Sequence, residues 1–89
     1  MRVLVEFIGY AVRKIGREWL WVELAEGETL QDVFSRLAST LDASVVESLK
    51  EALSREELRI AVNGKIVDSL DLKLSNGDKI LVFPIAAGG

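Results

Sequence analysis

Lys79-Ile80-Leu81-Val82-Phe83-Pro84-Ile85-Ala86-Ala87-Gly88-Gly89 is the stretch on which the fold turns. Its first half, residues 79–83, is an apolar strand-like run. Pro84 has no N–H to give to a ladder, so it is expected to stop pairing and turn the chain outward. A thin tail follows, with almost no side chain from Ala86 to Gly89 and with the backbone freedom of two glycines. Such a tail can thread a slot too narrow for bulkier residues. It would deliver the α-carboxylate of Gly89, ionised at neutral pH because its reference pKa lies near ~3.5. The plain alternative is a frayed terminus. Position straight after a strand and a proline favours function.

Working outward, residues 2–8 read as a strand with Val3, Val5 and Phe7 on one face and Arg2, Leu4, Glu6 and Ile8 on the other. Residues 9–17 read as a connection, glycine near both ends, with Arg13, Lys14 and Arg17 inside it. That basic cluster could meet an anionic partner, although a solvated loop is the plainer reading. Residues 18–24 form a second strand, with Leu20, Val22 and Leu24 on one face and Trp19, Trp21 and Glu23 on the other. The short connection makes the two strands an antiparallel hairpin.

Thr29 reads as a helix N-cap with Asp32 three residues on, and Leu30, Val33, Phe34, Leu37 and Leu41 form one amphipathic stripe. A break at residues 42–44 precedes a second amphipathic segment, capped by Ser44 with Glu47 and running to about Glu57. In the strand at 58–62, Leu58, Ile60 and Val62 point inward while Arg59 and Ala61 point outward. Asn63-Gly64 suits a type I′ turn, where both residues take positive φ. Ile66-Val67 forms a short return strand, and Ser75-Asn76-Gly77-Asp78 turns into the closing strand.

The order predicts one α+β domain over residues 1–89, with 84–89 as a flexible tail. It has a mixed sheet of four to five strands and one or two helices on one face. The right-handed crossover rule places the last strand beside the first, parallel and central.

Composition narrows the chemistry. The 89 residues carry a net charge of −3, unlike the basic surface a general nucleic-acid binder needs. With no cysteine and no histidine there is no disulfide, no thiolate nucleophile, no imidazole base and no zinc–thiolate site. No apolar run approaches the ~20 residues that would span a membrane, and no signal-peptide pattern opens the chain, so a cytoplasmic protein is expected. The acidic pairs Glu26/Glu28, Glu56/Glu57 and Asp68/Asp71 lie at turns and element ends, where carboxylates are usually solvated or capping, so they are not read as metal ligands.

The strand order, the Val62-Asn63-Gly64 hairpin, Asn76-Gly77-Asp78-Lys79-Ile80, Phe83-Pro84 and Ala87-Gly88-Gly89 together resemble ubiquitin-like β-grasp sulfur carriers. The resemblance is to the small subunit of molybdopterin synthase and to archaeal small modifier proteins. The segment Val12-Arg13-Lys14-Ile15-Gly16 is similar to that family's loop after the first strand. One departure is Ile85, where the family often has a second proline.

The resemblance implies a carrier rather than a stand-alone enzyme. An E1-like adenylating enzyme would consume ATP to make an acyl-adenylate at Gly89, and a sulfur donor protein would replace AMP and leave a thiocarboxylate. The tail would then enter the catalytic large subunit of molybdopterin synthase, for the dithiolene of a molybdenum or tungsten cofactor. No cofactor would be bound by the chain itself. Gly89 would be the reacting residue and Gly88 would supply clearance, while Phe83, Pro84, Ile85, Ala86 and Ala87 would orient the tail and touch the partner.

Trp19 and Trp21 raise a further expectation. With helices over the Leu20/Val22/Leu24 face, both indoles would sit on the open face with Leu4, Ile8 and Leu81. Burying a pair of ~150–250 Å² indoles would be worth roughly 4–6 kcal/mol each, which favours a docking surface over idle exposure. A loop or the second helix covering them is the alternative. Other functions stay open: conjugation of Gly89 to substrate lysines, sulfur transfer for thiamine or tRNA thiolation, or a β-grasp interaction module with a dispensable tail.

Overall fold

The computed structural model describes residues 1–85. The chain runs β1 (Arg2–Phe7), α1 (Tyr10–Ile15), β2 (Trp19–Glu23), α2 (Leu30–Thr40), α3 (Ala43–Ser54), β3 (Leu58–Val62), β4 (Lys65–Val67) and β5 (Lys79–Pro84). The five strands form one mixed sheet in the order β2-β1-β5-β3-β4. As expected, β5 is central, parallel to β1 and antiparallel to β3.

Alternation decides which face is covered. Val3, Val5, Phe7, Leu20, Val22, Leu58, Ile60, Ile80 and Val82 are buried together with Leu30, Val33, Phe34 and Leu37 of α2 and Val46, Leu49 and Ala52 of α3. Two amphipathic helices thus cover one face of the sheet. At α2, the Thr29 N–H donates to Asp32 Oδ2 at 2.8 Å, so the expected capping partner is in place.

Several local expectations are corrected. The connection after β1 contains a six-residue helix, α1, because Ala11 is buried in the core while Tyr10, Val12 and Ile15 pack against it. Gly16, at φ 84°, closes that helix by donating to the Val12 carbonyl at 2.7 Å. Asp42, not Ser44, caps α3: its Oδ1 accepts from the Ser44 N–H at 2.8 Å and the Ser44 hydroxyl at 2.7 Å. The same two bonds, hydroxyl first, hold the Asp42 carboxyl below its usual pKa.

Helix α3 ends at Ser54, earlier than the sequence pattern suggested, in a Schellman motif. Glu56 N–H reaches Leu53 O at 3.1 Å and Glu57 N–H reaches Ala52 O at 2.9 Å, with Glu56 left-handed at φ 59°. Ala61 points to the open face yet is buried, because its cross-strand neighbours are Ile66 and Leu81.

Asn63 ties two turns together. Asn63 and Gly64 have φ of 51° and 85°, the positive pair a type I′ hairpin requires. The Asn63 amide then donates to Asp78 Oδ1 and accepts from the Lys79 N–H, both at 2.9 Å. Asp78 Oδ2 in turn accepts from Ser75 N–H at 2.7 Å. The start of β5 is therefore held by side chains as well as by its ladders.

Candidate functional site

The site starts where β5 ends. Pairing with β3 continues through Leu58↔Pro84, and the Ile85 N–H donates to Glu57 O at 3.2 Å. Pro84 thus belongs to the sheet and Ile85 is tied to it by one further bond, which corrects the expectation that Pro84 stops pairing and that the tail begins there. The reason lies in the alternation of the ladder. Asn63 N–H bonds Lys79 O, and Ile85 N–H bonds Glu57 O, so odd-numbered residues of β5 face β3. Ile8 N–H bonds Val82 O at 3.0 Å, so even-numbered residues face β1. The nitrogen of Pro84 therefore points toward the β1 side, where β1 has already ended at Phe7. Its missing N–H leaves no ladder bond unmade.

Gly9 occupies that vacated side. Its backbone, at φ 70° and ψ −140°, is a conformation open essentially to glycine alone. A Cβ at Gly9 would stand 2.9 Å from Pro84 Cγ and 3.3 Å from Cδ. The proline ring therefore rests on a backbone made accessible by the absent side chain. The root of the tail is braced on one side by Gly9 and on the other by the Glu57 carbonyl. Nothing in the spacing of the sequence marked Gly9; it read as one glycine of a connection.

Phe83 and Pro84 are half-buried and Ile85 is exposed, so the three come together at one end of the central strand. Ala86, Ala87, Gly88 and Gly89 lie outside the described residues. Leu81 is half-buried on the open face two residues before Phe83. Trp19 and Trp21 are 55% and 44% exposed on the same face, so neither a loop nor α3 covers them.

The open face is divided. Cross-strand register sets Trp19 beside Glu6, and Glu6 beside Leu81. Between the indoles and the tail root lies the ion pair Lys79 Nζ–Glu6 Oε1 at 3.3 Å. Arg2 lies over the Trp21 ring, 4.3 Å from its centroid. The structure thus places Trp19, Trp21, Leu81 and Phe83 on one face but in two regions, about two strand spacings or ~10 Å apart.

The basic residues of α1 are exposed, and Lys14 donates to Ser48 Oγ at 3.0 Å. A cavity of about 320 Å³ lies elsewhere, between α3, β3 and the segment after β4, over Leu53, Leu58, Ile60 and Val67. It includes none of the tail-root residues. Among the described residues, no group of three or more Asp or Glu could hold a metal ion, and no helix is long and apolar enough to cross a membrane.

The described residues thus present a terminal segment braced at the end of a central β5. The model of the ThiS family matches residues 5–89, nearly the whole chain. The chain belongs to the ThiS family. It is a ubiquitin-like β-grasp sulfur carrier by fold and family.

Solved structures agree. A putative molybdopterin converting factor subunit 1 from Pyrococcus furiosus is similar at 27% identity and TM-score 0.74, over 97% of this chain and 99% of that one. The complex of subunits 1 and 2 of the molybdopterin-converting factor from Helicobacter pylori matches at 30% identity and TM-score 0.60, over 100% of each chain. SAMP1 from Haloferax volcanii, at 17% identity and TM-score 0.75 over 100% of each chain, shares the fold. No curated protein matches the chain at a significant level.

Proposed function

We propose that this ThiS-family chain carries sulfur on Gly89 for molybdopterin biosynthesis. An E1-like adenylating enzyme uses ATP to convert the Gly89 carboxylate into an acyl-adenylate. A persulfide on a donor protein then displaces AMP to form an acyl disulfide. A second thiol of the donor attacks the donor sulfur of that bond, so that the thiocarboxylate leaves and the donor is left as a disulfide. The tail delivers the thiocarboxylate to the catalytic large subunit of a synthase. The carboxylate is a poor electrophile until AMP is its leaving group. None of these steps draws on a side chain of this chain, which suits a sequence without cysteine or histidine.

The observation that carries this reading is the braced departure of Ile85 from the central strand, five residues into a run that the family match follows to Gly89 when counted from Gly89 back. The similarity to a molybdopterin converting factor subunit 1, and to a complex of its two subunits, favours this pathway over thiamine or tRNA thiolation. Phe83, Pro84, Ile85 and Leu81 are the side chains that touch the partner, with Ala86, Ala87 and Gly88 passing through its slot. Trp19 and Trp21 offer a second contact on the same face.

The test is mass spectrometry of the intact chain and of its C-terminal peptide after incubation with ATP, a sulfur donor and native cell extract. Replacement of one oxygen by sulfur at Gly89, trapped by alkylation, is expected. Alkylation separates it from oxidation of Met1 or a tryptophan. Gly88→Ala should block the modification while leaving the thermal midpoint unchanged. An unmodified Gly89 would refute the carrier reading; isopeptide adducts through Gly89 would instead establish the modifier.

A further inference from the structure

Strand β2 ends the sheet, with β1 as its neighbour. Which of its backbone groups are free follows from the ladder. Phe7 N–H bonds Glu18 O at 2.8 Å, and Met1 and Leu24 exchange both bonds at 2.7 and 2.9 Å. In an antiparallel pair these bonded positions alternate with unbonded ones. Glu18, Leu20, Val22 and Leu24 therefore face β1, while the N–H and C=O groups of Trp19, Trp21 and Glu23 face away from it. The same three side chains are exposed on the open face. This edge is lightly protected, since β2 has no lysine, no proline and no bulge, and Glu23 is its one charge. The opposite edge, β4, is three residues long and begins with Lys65.

The free edge has a self-complementary pattern. Along the strand its outward-facing residues are Trp19, Trp21 and Glu23, and Arg17 stands in the bend two residues before it. An antiparallel copy centred on Leu20 sets Trp19 against Trp21 of the second copy and Arg17 against its Glu23, each twice by symmetry. Hydrogen bonding permits this register, because it matches outward-facing residues with outward-facing ones. Among the described residues neither Arg17 nor Glu23 has an ion-pair partner within its own chain. On the helix side Leu20 meets Leu20 and Glu18 meets Val22, so no like charges oppose.

We propose that two copies of this chain associate through the free edges of β2, antiparallel, joining their sheets into one of ten strands with a two-fold axis at Leu20. The contact is isologous and closes on itself, so it stops at a dimer. It packs the indoles of the two copies side by side on the open face and leaves the end of β5 free, two strands away. A partner docking on the indoles competes with it. The pairing stands independently of the sulfur-carrier reading.

The interface is small. Stable dimers bury about 800 Å² per partner, more than a five-residue edge with two indoles offers, so a weak dimer with a dissociation constant of about 0.1 mM is expected. Sedimentation equilibrium of the full chain from about 10 µM to about 1 mM covers the transition. Arg17→Glu and Glu23→Arg should each weaken association roughly tenfold, since either puts two like-charged pairs face to face. The double variant Arg17→Glu/Glu23→Arg should restore the wild-type constant. Generic repulsion predicts otherwise, because Glu23→Arg brings the net charge of −3 closer to zero and would strengthen association. Amide exchange at Trp19, Trp21 and Glu23 should slow with rising concentration, while that of β4 stays constant. A chain monomeric at the top concentration overturns the proposal and leaves the edge to a strand from another protein. So does a dimer insensitive to both single reversals, or a folded double variant that does not recover.

Discussion

Replacing Gly9 with alanine tests the brace beneath the tail. Two costs are expected. The first is conformational: φ 70° with ψ −140° is closed to an L residue, and holding one there costs of order 1–3 kcal/mol. The second is steric. A Cβ 2.9 Å from Pro84 Cγ is well inside the ~3.5–4.0 Å at which carbon atoms attract, and relieving such an overlap costs typically ~1–3 kcal/mol. Together they predict a loss of about 3–4 kcal/mol, hence a drop in Tm of very roughly 15 °C or more for a domain of this size. Urea denaturation of Gly9→Ala, Pro84→Ala and the double variant separates the two costs. Pro84→Ala removes Cγ, so the double variant should recover the steric part, about 1–3 kcal/mol, and keep the conformational one. Strictly additive losses would refute the contact as the cause. Unchanged stability in Gly9→Ala would refute both arguments.

Other perturbations isolate other links. Asn63→Ala loses two hydrogen bonds and places alanine at φ 51°, so urea unfolding should show a loss of about 2–3 kcal/mol, whereas Asn63→Gly, which keeps the turn, should lose only about 1–2. Glu56→Gly relieves a left-handed C′ residue in the α3 Schellman motif and should raise stability by up to about 1 kcal/mol in calorimetry. Asp42 has a folded-state pKa below its unfolded value of 3.8, so its contribution to α3 is present above that pH and is lost as pH falls through the lowered value. The stability difference between wild type and Asp42→Ala, measured by urea midpoints, should therefore shrink between pH 5 and pH values below the carboxylate range.

Much of the architecture was legible because it rests on periodicity. Period-two alternation in β1, β2, β3 and β5 assigned the two faces correctly, with Ala61 on the open face yet buried there. Helical spacing from Leu30 to Leu37 assigned α2, and Asn63-Gly64 assigned the hairpin. Connectivity then made β5 central, since the crossover rule admits few arrangements. Helix α1 escaped because six residues hold less than two turns of pattern. Its signal was Gly16, which served equally well as a loop residue. At α3 the cap moved from Ser44 to Asp42 because both types cap well, and only the backbone path decides which oxygen reaches a free N–H.

The sequence alone determined the covered and open faces, the central closing strand and the small residues at its end, because each follows from side-chain type and order along the chain. Tertiary structure alone decided what supports and divides the site. Gly9 meets Pro84 across 75 positions of sequence, Ile85 bonds Glu57, and the Glu6–Lys79 pair separates the indoles from the tail root. These contacts depend on register and on where one strand stops beside another. No local pattern encodes the distance between residues that only the packed sheet brings together.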